Sequence, residues 1–436
     1  MKRSIMAALM VWKNESGRKP LVLRGARQVG KTYLLKEFGA AAFPAVHYLN
    51  FEEDERLSRV FGPDLKPAAI VDRLQFHLNH PINAASDLVI FDEVQRCPPA
   101  LTSLKYFCED MPQLAVCAAG SLLGVVMAPD SYPVGKITTL NMWPMSFSEF
   151  LYGIGEDASA RYLAEHDPHQ PFDELVHDKL WDLWKCYLAV GGLPGAINAY
   201  LSKPGDRYAA MEAARAVQRE LIGGYMADMA KHSGKMNALQ IERLWRSVPE
   251  QLAREQDGSA SKFRFRDAVP GFRGYNQIVG PLSWLEAAGL VLRTSITEAI
   301  AAPLSGMARE NRFKLYLMDV GLLGALSGMF PSTLLDYHFG SYQGYVAENF
   351  VAQELRAAGM ASLYCWQGRT SEVEFIVETP AGPVPIEVKS GRVTRSKSLK
   401  VFEERYHPDR SYVLSGCNSA SHANRRFVPL YAAGRL

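Results

Sequence analysis

Residues 25–32 read GARQVGKT and carry the pattern GxxxxGK[ST]. Such a loop does phosphate chemistry. Gly25 and Gly30 let the main chain wrap close to phosphate oxygens, and the amides at the start of the following helix face the anion. Lys31 reaches the β and γ phosphates, Thr32 is a Mg2+ ligand, and Arg27 within the loop is a further phosphate contact. ATP bound this way needs carboxylates at the end of a neighbouring strand. The run Asp87 to Glu93 supplies them, because four apolar residues end in Asp92 and Glu93. Asp92 would hold Mg2+ and Glu93 would polarise the attacking water as base. Ser121 follows another apolar run and is either a γ-phosphate sensor or a small polar residue in a strand-ending turn.

A second constellation stands near the C-terminus. Glu348 lies in a helix-like stretch, Glu374 in a strand over 371–377, and Glu387 and Lys389 in a strand over 385–389. Two residues apart, Glu387 and Lys389 share one strand face. An acid on a helix, an acid on one strand and ExK on the next resemble the PD-(D/E)xK nucleases, whose carboxylates bind Mg2+ and whose lysine helps position or activate water. A second metal site at Glu348, Glu374 and Glu387, beside Lys389, is the corresponding expectation. Glu374 stands where aspartate is usual, which moves the carboxylate outward by roughly 1 to 1.5 Å, a displacement that matters in catalysis. Between the two constellations, Lys262, Arg264 and Arg266 alternate with Phe263 and Phe265. Strand geometry would place the cations on one face, either as an edge tracking DNA phosphates, helped by Arg273, or as a solvated basic face.

The elements that must position these groups follow from the apolar pattern. Strands are predicted at 19–24, 45–52, 87–92, 114–119 and 137–142, with helices after the loop and over 101–111, a five-stranded parallel α/β core. That core, with the phosphate loop, spans 1–155. Helical and aromatic spacing around Trp181, Trp184 and Tyr187 marks a lid or connector over 156–233. Helices over 237–254 and 278–288, then strands over 290–297 and 313–317, predict a winged-helix-like domain over 234–330. An α/β restriction-endonuclease-like domain over 338–436 completes the order.

Taken together, GARQVGKT (25–32), DEVQRCP (92–98), AAGS (118–121) and WPMSFSEFL (143–151) resemble the motifs of bacterial and archaeal AAA+-like ATPases that carry a C-terminal domain of unknown function. The resemblance continues through YLAVGGLP (187–194), YMADMAK (225–231), KLYLMDVGLL (314–323), GYVAENFVAQEL (344–355) and IEVK (386–389). It implies an ATPase whose biological role is poorly defined. AAA+ enzymes usually take an arginine from a neighbouring subunit, which implies a homo-oligomer. The family's GR pair is Gly135-Lys136 here, and lysine lacks the guanidinium fork, so Arg27 and Arg96 are the alternatives.

Composition narrows the field further. With 48% hydrophobic and 22% charged residues the 436-residue chain is neither disordered nor collagen-like. Its 48 Lys+Arg against 46 Asp+Glu leave a formal charge of +2, so any nucleic-acid surface is a local patch. Six cysteines without a CxxC pair suit a reducing cytoplasm and indicate neither zinc nor disulfides. The apolar run 5–12 lacks a cleavage site and reads as a short helix, and 111–129 as a buried strand with its loop, so no membrane segment is expected. The expected function is a Mg-dependent cytoplasmic ATPase coupled to a nucleic-acid transaction; the alternative is a nucleotide-controlled protein-interaction switch on a degenerate nuclease-like scaffold.

Overall fold

The computed structural model describes the chain except residues 63, 122–132, 134, 255–262, 338–339, 341 and 393–394, and the side chains of 232, 235, 252–254, 266 and 267. It forms two compact units, Arg3–Trp143 and Pro144–Leu436 together with Met1–Lys2.

In the first unit the elements are α1 (Ile5–Lys13), β1 (Leu21–Arg24), α2 (Lys31–Ala42), β2 (Val46–Asn50), α3 (Pro67–Leu78), β3 (Leu88–Asp92), α4 (Pro98–Asp110), β4 (Ala115–Gly120) and β5 (Thr138–Asn141). All five strands are parallel, in the order β2-β3-β4-β1-β5. The expected five-stranded core is therefore present. Parallel strands covered on both faces must be apolar throughout, and Leu88, Val89, Ile90 and Phe91 of β3 are all fully buried. At about 1.5 to 3 kcal/mol per buried apolar side chain, these four contribute on the order of 6 to 12 kcal/mol, enough to hold the adjoining acid in a dry setting. Leu34, Leu35 and Phe38 put the apolar face of α2 on the sheet, while Phe51, Phe61, Phe91 and Phe107 meet edge to face beneath it. The helix expected from the apolar run near the start is α1, which buries Leu9 and Trp12.

The second unit continues with α5 (Phe147–Gly153), α6 (Asp157–Glu165), α7 (Glu174–Val190), α8 (Pro194–Leu201), α9 (Arg207–Ser233), α10 (Lys235–Arg254), α11 (Phe265–Ala268), α12 (Tyr275–Ala287), β6 (Val291–Thr297), β7 (Ala308–Leu317), α13 (Val320–Leu326), α14 (Pro331–Asp336), α15 (Tyr342–Ala357), β8 (Leu363–Gln367), β9 (Glu372–Thr379), β10 (Gly382–Val388), α16 (Lys397–Tyr406), β11 (Ser411–Ser415), β12 (Ala420–His422) and β13 (Arg425–Pro429). It begins eleven residues or so before the expected boundary, because α5 belongs to it. Ser146 and Glu149 close a capping box around the start of α5, and the Phe147 amide donates to Glu354 on α15 at 2.8 Å.

The hairpin β6–β7, expected as the wing of a separate domain, is the edge of a mixed eight-stranded sheet of order β12-β13-β11-β10-β9-β8-β6-β7. Thr294 to Thr297 of β6 pair in parallel with Leu363 to Trp366 of β8. The reason is burial: Val291, Leu292, Thr294, Ile296 and Thr297 of β6 are buried, so its main-chain groups need a second neighbour. Of the strand expected over 262–266, the described residues 263–266 form none, and Lys262 lies outside the described residues. Arg264 is extended and then α11 begins, because the Gln251 side chain accepts from the Arg264 amide at 2.7 Å and donates to the Arg264 carbonyl at 3.1 Å. Phe263 and Phe265 still meet one partner, Phe313. No helix among the described residues is long and apolar enough to cross a membrane.

Candidate functional site

β1 delivers the loop 25–32. Its first residue, Gly25, is pressed onto the end of β5: a Cβ there would lie 2.3 Å from the Met142 carbonyl oxygen, and the Met142 amide donates to the Arg24 carbonyl at 2.7 Å. Gly30 leads into α2, whose first residue is Lys31. Lys31 is 7% exposed and its ammonium turns back into the loop, donating to the carbonyls of Gly25 at 3.0 Å and Ala26 at 2.8 Å. Burial lowers its pKa, Glu93 and Asp92 nearby oppose the shift, and the result is about 8. Arg27 is exposed and adds a small repulsion.

Asp92 ends β3 only 2% exposed. Its Oδ2 accepts from the Thr32 hydroxyl at 2.7 Å and from the Tyr48 hydroxyl at 2.8 Å, and its Oδ1 from the Glu93 amide at 3.0 Å. The strand pairing explains Tyr48, since Asn50 of β2 lies opposite Asp92 and Tyr48 is two residues earlier on the same face. Glu93 turns off the strand with φ +50°, a left-handed conformation uncommon outside glycine. Its carboxylate accepts from the Gln95 amide, and burial pushes its pKa up. Ser121, also buried, follows β4, the strand between β1 and β3, and so falls between the loop and the acids.

Thr32 and Asp92 offer hard oxygen donors side by side, which fits Mg2+. Neither Tyr48 nor Gln95 stood out in the sequence. Of the arginine alternatives, Arg96 pairs with Glu52 at 2.5 Å, while Lys136 pairs with Glu109 at 3.0 Å.

In the second unit Glu348, Glu374, Glu387 and Lys389 come near one another, together with Glu372, Lys314 and Tyr316, which sequence reasoning passed over. The Glu374 carboxylate accepts from the Val388 amide at 3.0 Å and Glu387 pairs with Lys389 at 2.6 Å. Burial, then the charges of Glu387 and Glu348, hold the Glu374 carboxyl well above the usual range. Among the described residues the other, buried Glu387 oxygen meets no hydrogen bond of good geometry, although Ser396 stands close enough to favour the charged form. Among the described residues no three His, Cys, Asp or Glu side chains are arranged to hold a metal ion. Each carboxylate of the expected Glu348-Glu374-Glu387 site has a partner of the protein's own: the Tyr316 hydroxyl for Glu348, the Val388 amide for Glu374 and Lys389 for Glu387. Of the basic stretch, Lys262 lies outside the described residues, as does the Arg266 side chain; Arg264 and Arg273 are exposed.

Residues 17–151 match the family model of an AAA domain. The first unit is thus a P-loop core of the ATPase type. Residues 182–333 and 343–433 match two domains of unknown function, DUF8612 and DUF4143. No curated protein matches the chain. Among solved structures, the Walker-type ATPase PABY2304 of Pyrococcus abyssi is similar at 16% identity, over 74% of this chain and 95% of its own, with a TM-score of 0.47. ORC1 of Aeropyrum pernix in complex with DNA has 15% identity, 76% and 92% coverage and a TM-score of 0.29; AMPPCP-bound DnaA from Aquifex aeolicus has 14%, 64% and 86%, and 0.30. Scores this low carry no shared activity across.

Proposed function

We propose that this cytoplasmic chain binds MgATP at residues 25–32 and hydrolyses it, and that turnover is coupled to a nucleic-acid transaction of the second unit. The observation that carries the hydrolytic reading is the Thr32 hydroxyl set 2.7 Å from Asp92, with Glu93 turned out beside it. Lys31, once drawn off the loop carbonyls, is the cation for the β and γ phosphates; Thr32 and Asp92 are the ligands for Mg2+, which in such sites neutralises charge on the phosphate oxygens. Glu93 takes the proton of the attacking water, and its raised pKa brings it closer to working pH as a base. Ser121 senses the γ phosphate. An arginine from a neighbouring copy completes the charge stabilisation, so ATP should promote self-association.

Exposed Arg264 and Arg273 support the nucleic-acid half of the reading, with Lys262 and Arg266 beside them in sequence. The test is duplex and single-stranded DNA binding with and without MgATP across a salt series. A Kd that rises steeply with salt and weakens in Arg264→Glu is expected. Absence of binding to DNA or RNA at low salt would remove that half and leave the ATPase. The nucleotide-controlled interaction switch is then the better reading, and one observation already favours it: the C-terminal carboxylates are occupied by the protein's own donors.

A further inference from the structure

Lys314 is the fourth-last residue of β7, inside a run of five buried residues, Phe313 to Leu317. A lysine almost never fills such a place without a partner. Its side chain is 4% exposed, and its ammonium contacts Glu348 of α15 at 3.4 Å and Glu372 of β9 more closely. Tyr316, two residues on and therefore on the same strand face, donates to the same Glu348 oxygen at 2.7 Å. Burial alone would strip the proton from Lys314, but Glu348 and Glu372 outweigh it and hold the ammonium charged. Glu374 lies near enough to feel Glu348, Glu387, Lys314 and Lys389, and Lys389 pairs with Glu387 at 2.6 Å.

We infer that Lys314 is a built-in counter-cation, holding by its ammonium Glu348, one of the carboxylates that a nuclease-like site would turn toward a divalent ion, together with Glu372 beside it, so that the C-terminal sheet is a metal-free scaffold. The inference rests on the scaffold reading above and gives its cause. A divalent ion of the Mg2+ type needs several oxygens at about 2.0 to 2.1 Å in a near-octahedral set. Here Glu348 and Glu372 are turned to a nitrogen on a stem that β7 anchors, and a second cation would have to enter against a fixed positive charge.

The test is Mn2+ binding to the full chain without nucleotide, read by electron paramagnetic resonance in an Asp92→Asn background so that the first unit does not contribute. With Lys314 in place, no ion should bind at sub-millimolar Mn2+. Lys314→Ala should gain one site at least tenfold tighter, with a rise in Tm on adding Mn2+, whereas Lys314→Arg should stay without one. A folded Lys314→Ala that binds no better than its parent overturns the inference and leaves the scaffold reading standing. Tight Mn2+ binding together with DNA or RNA cleavage by the parent overturns both. Should Lys314→Ala be recovered unfolded, Lys314→Ala/Glu348→Gln decides, because it removes one charge of each sign: restored folding supports the counter-cation role and continued unfolding overturns it.

Discussion

ATP affinity should fall as pH rises through 8, and the cause is the setting of Lys31. Its ammonium is buried in the loop, and burial, only partly opposed by Glu93 and Asp92, lowers its pKa to about 8. Below that value the group is a cation that can meet phosphate; above it the group is neutral. Bound phosphate favours the charged form, so the complex keeps the proton and the free protein must regain it before binding. Between pH 7 and 9 the charged fraction of the free protein falls from about nine-tenths to about one-tenth. The apparent Kd for MgATP should therefore rise about tenfold, roughly 1.4 kcal/mol. Titration with a fluorescent ATP analogue at constant ionic strength reads this directly. Lys31→Arg, whose guanidinium stays charged, should bind with a flatter pH profile even if more weakly. A wild-type Kd that changes less than twofold between pH 7 and 9, with near-UV circular dichroism unchanged, would refute the reasoning.

Two further outcomes follow from other parts of the molecule. Glu93→Gln should keep MgATP binding and lose about 10²- to 10⁴-fold in kcat, the usual share of a general base; full turnover by the purified variant would take Glu93 out of that role. Gly191→Ala should destabilise the second unit by at least about 3 kcal/mol in urea unfolding. Gly191 has φ +72° and ψ −173°, a region essentially reserved for glycine, and a Cβ there would lie 2.4 Å from Asp319 Oδ1, disturbing a buried carboxylate that accepts from the Gly192 amide at 2.6 Å and the Leu322 amide at 3.0 Å. A loss below about 1 kcal/mol would show that the junction relaxes freely.

The nucleotide site was legible because its residues sit next to elements with strong local signatures. The buried run of β3 ends in Asp92 and Glu93, and the loop lies between β1 and the apolar face of α2. Tyr48 was not legible, since its role depends on β2 lying beside β3, a non-local pairing. The same limit applies to β6 and β7: alternation identifies a strand and says nothing of its neighbour, so the hairpin read as a wing when it is a sheet edge. At Lys262 to Arg266 the alternation was sound for the two phenylalanines, which share Phe313, but the side-chain bonds from Gln251 set the main chain. Lys314 was hidden in plain view within KLYLMDVGLL, where a buried cation has meaning only once Glu348 and Glu372 are brought to it from later in the chain.

The pairing of β6 with β8 bears on what can be inherited or excised as a module. The stretch 343–433 that recurs as a recognisable sequence block contains β8 to β13 but not β6 and β7. Cut out alone, it would present the amides and carbonyls of Leu363 to Trp366 along an uncovered edge, and the acids around Glu348 without Lys314. An open edge of that kind recruits other strands. In this chain the block thus relies on its forerunner, residues 291–317, for two neighbouring strands and for the cation that faces Glu348.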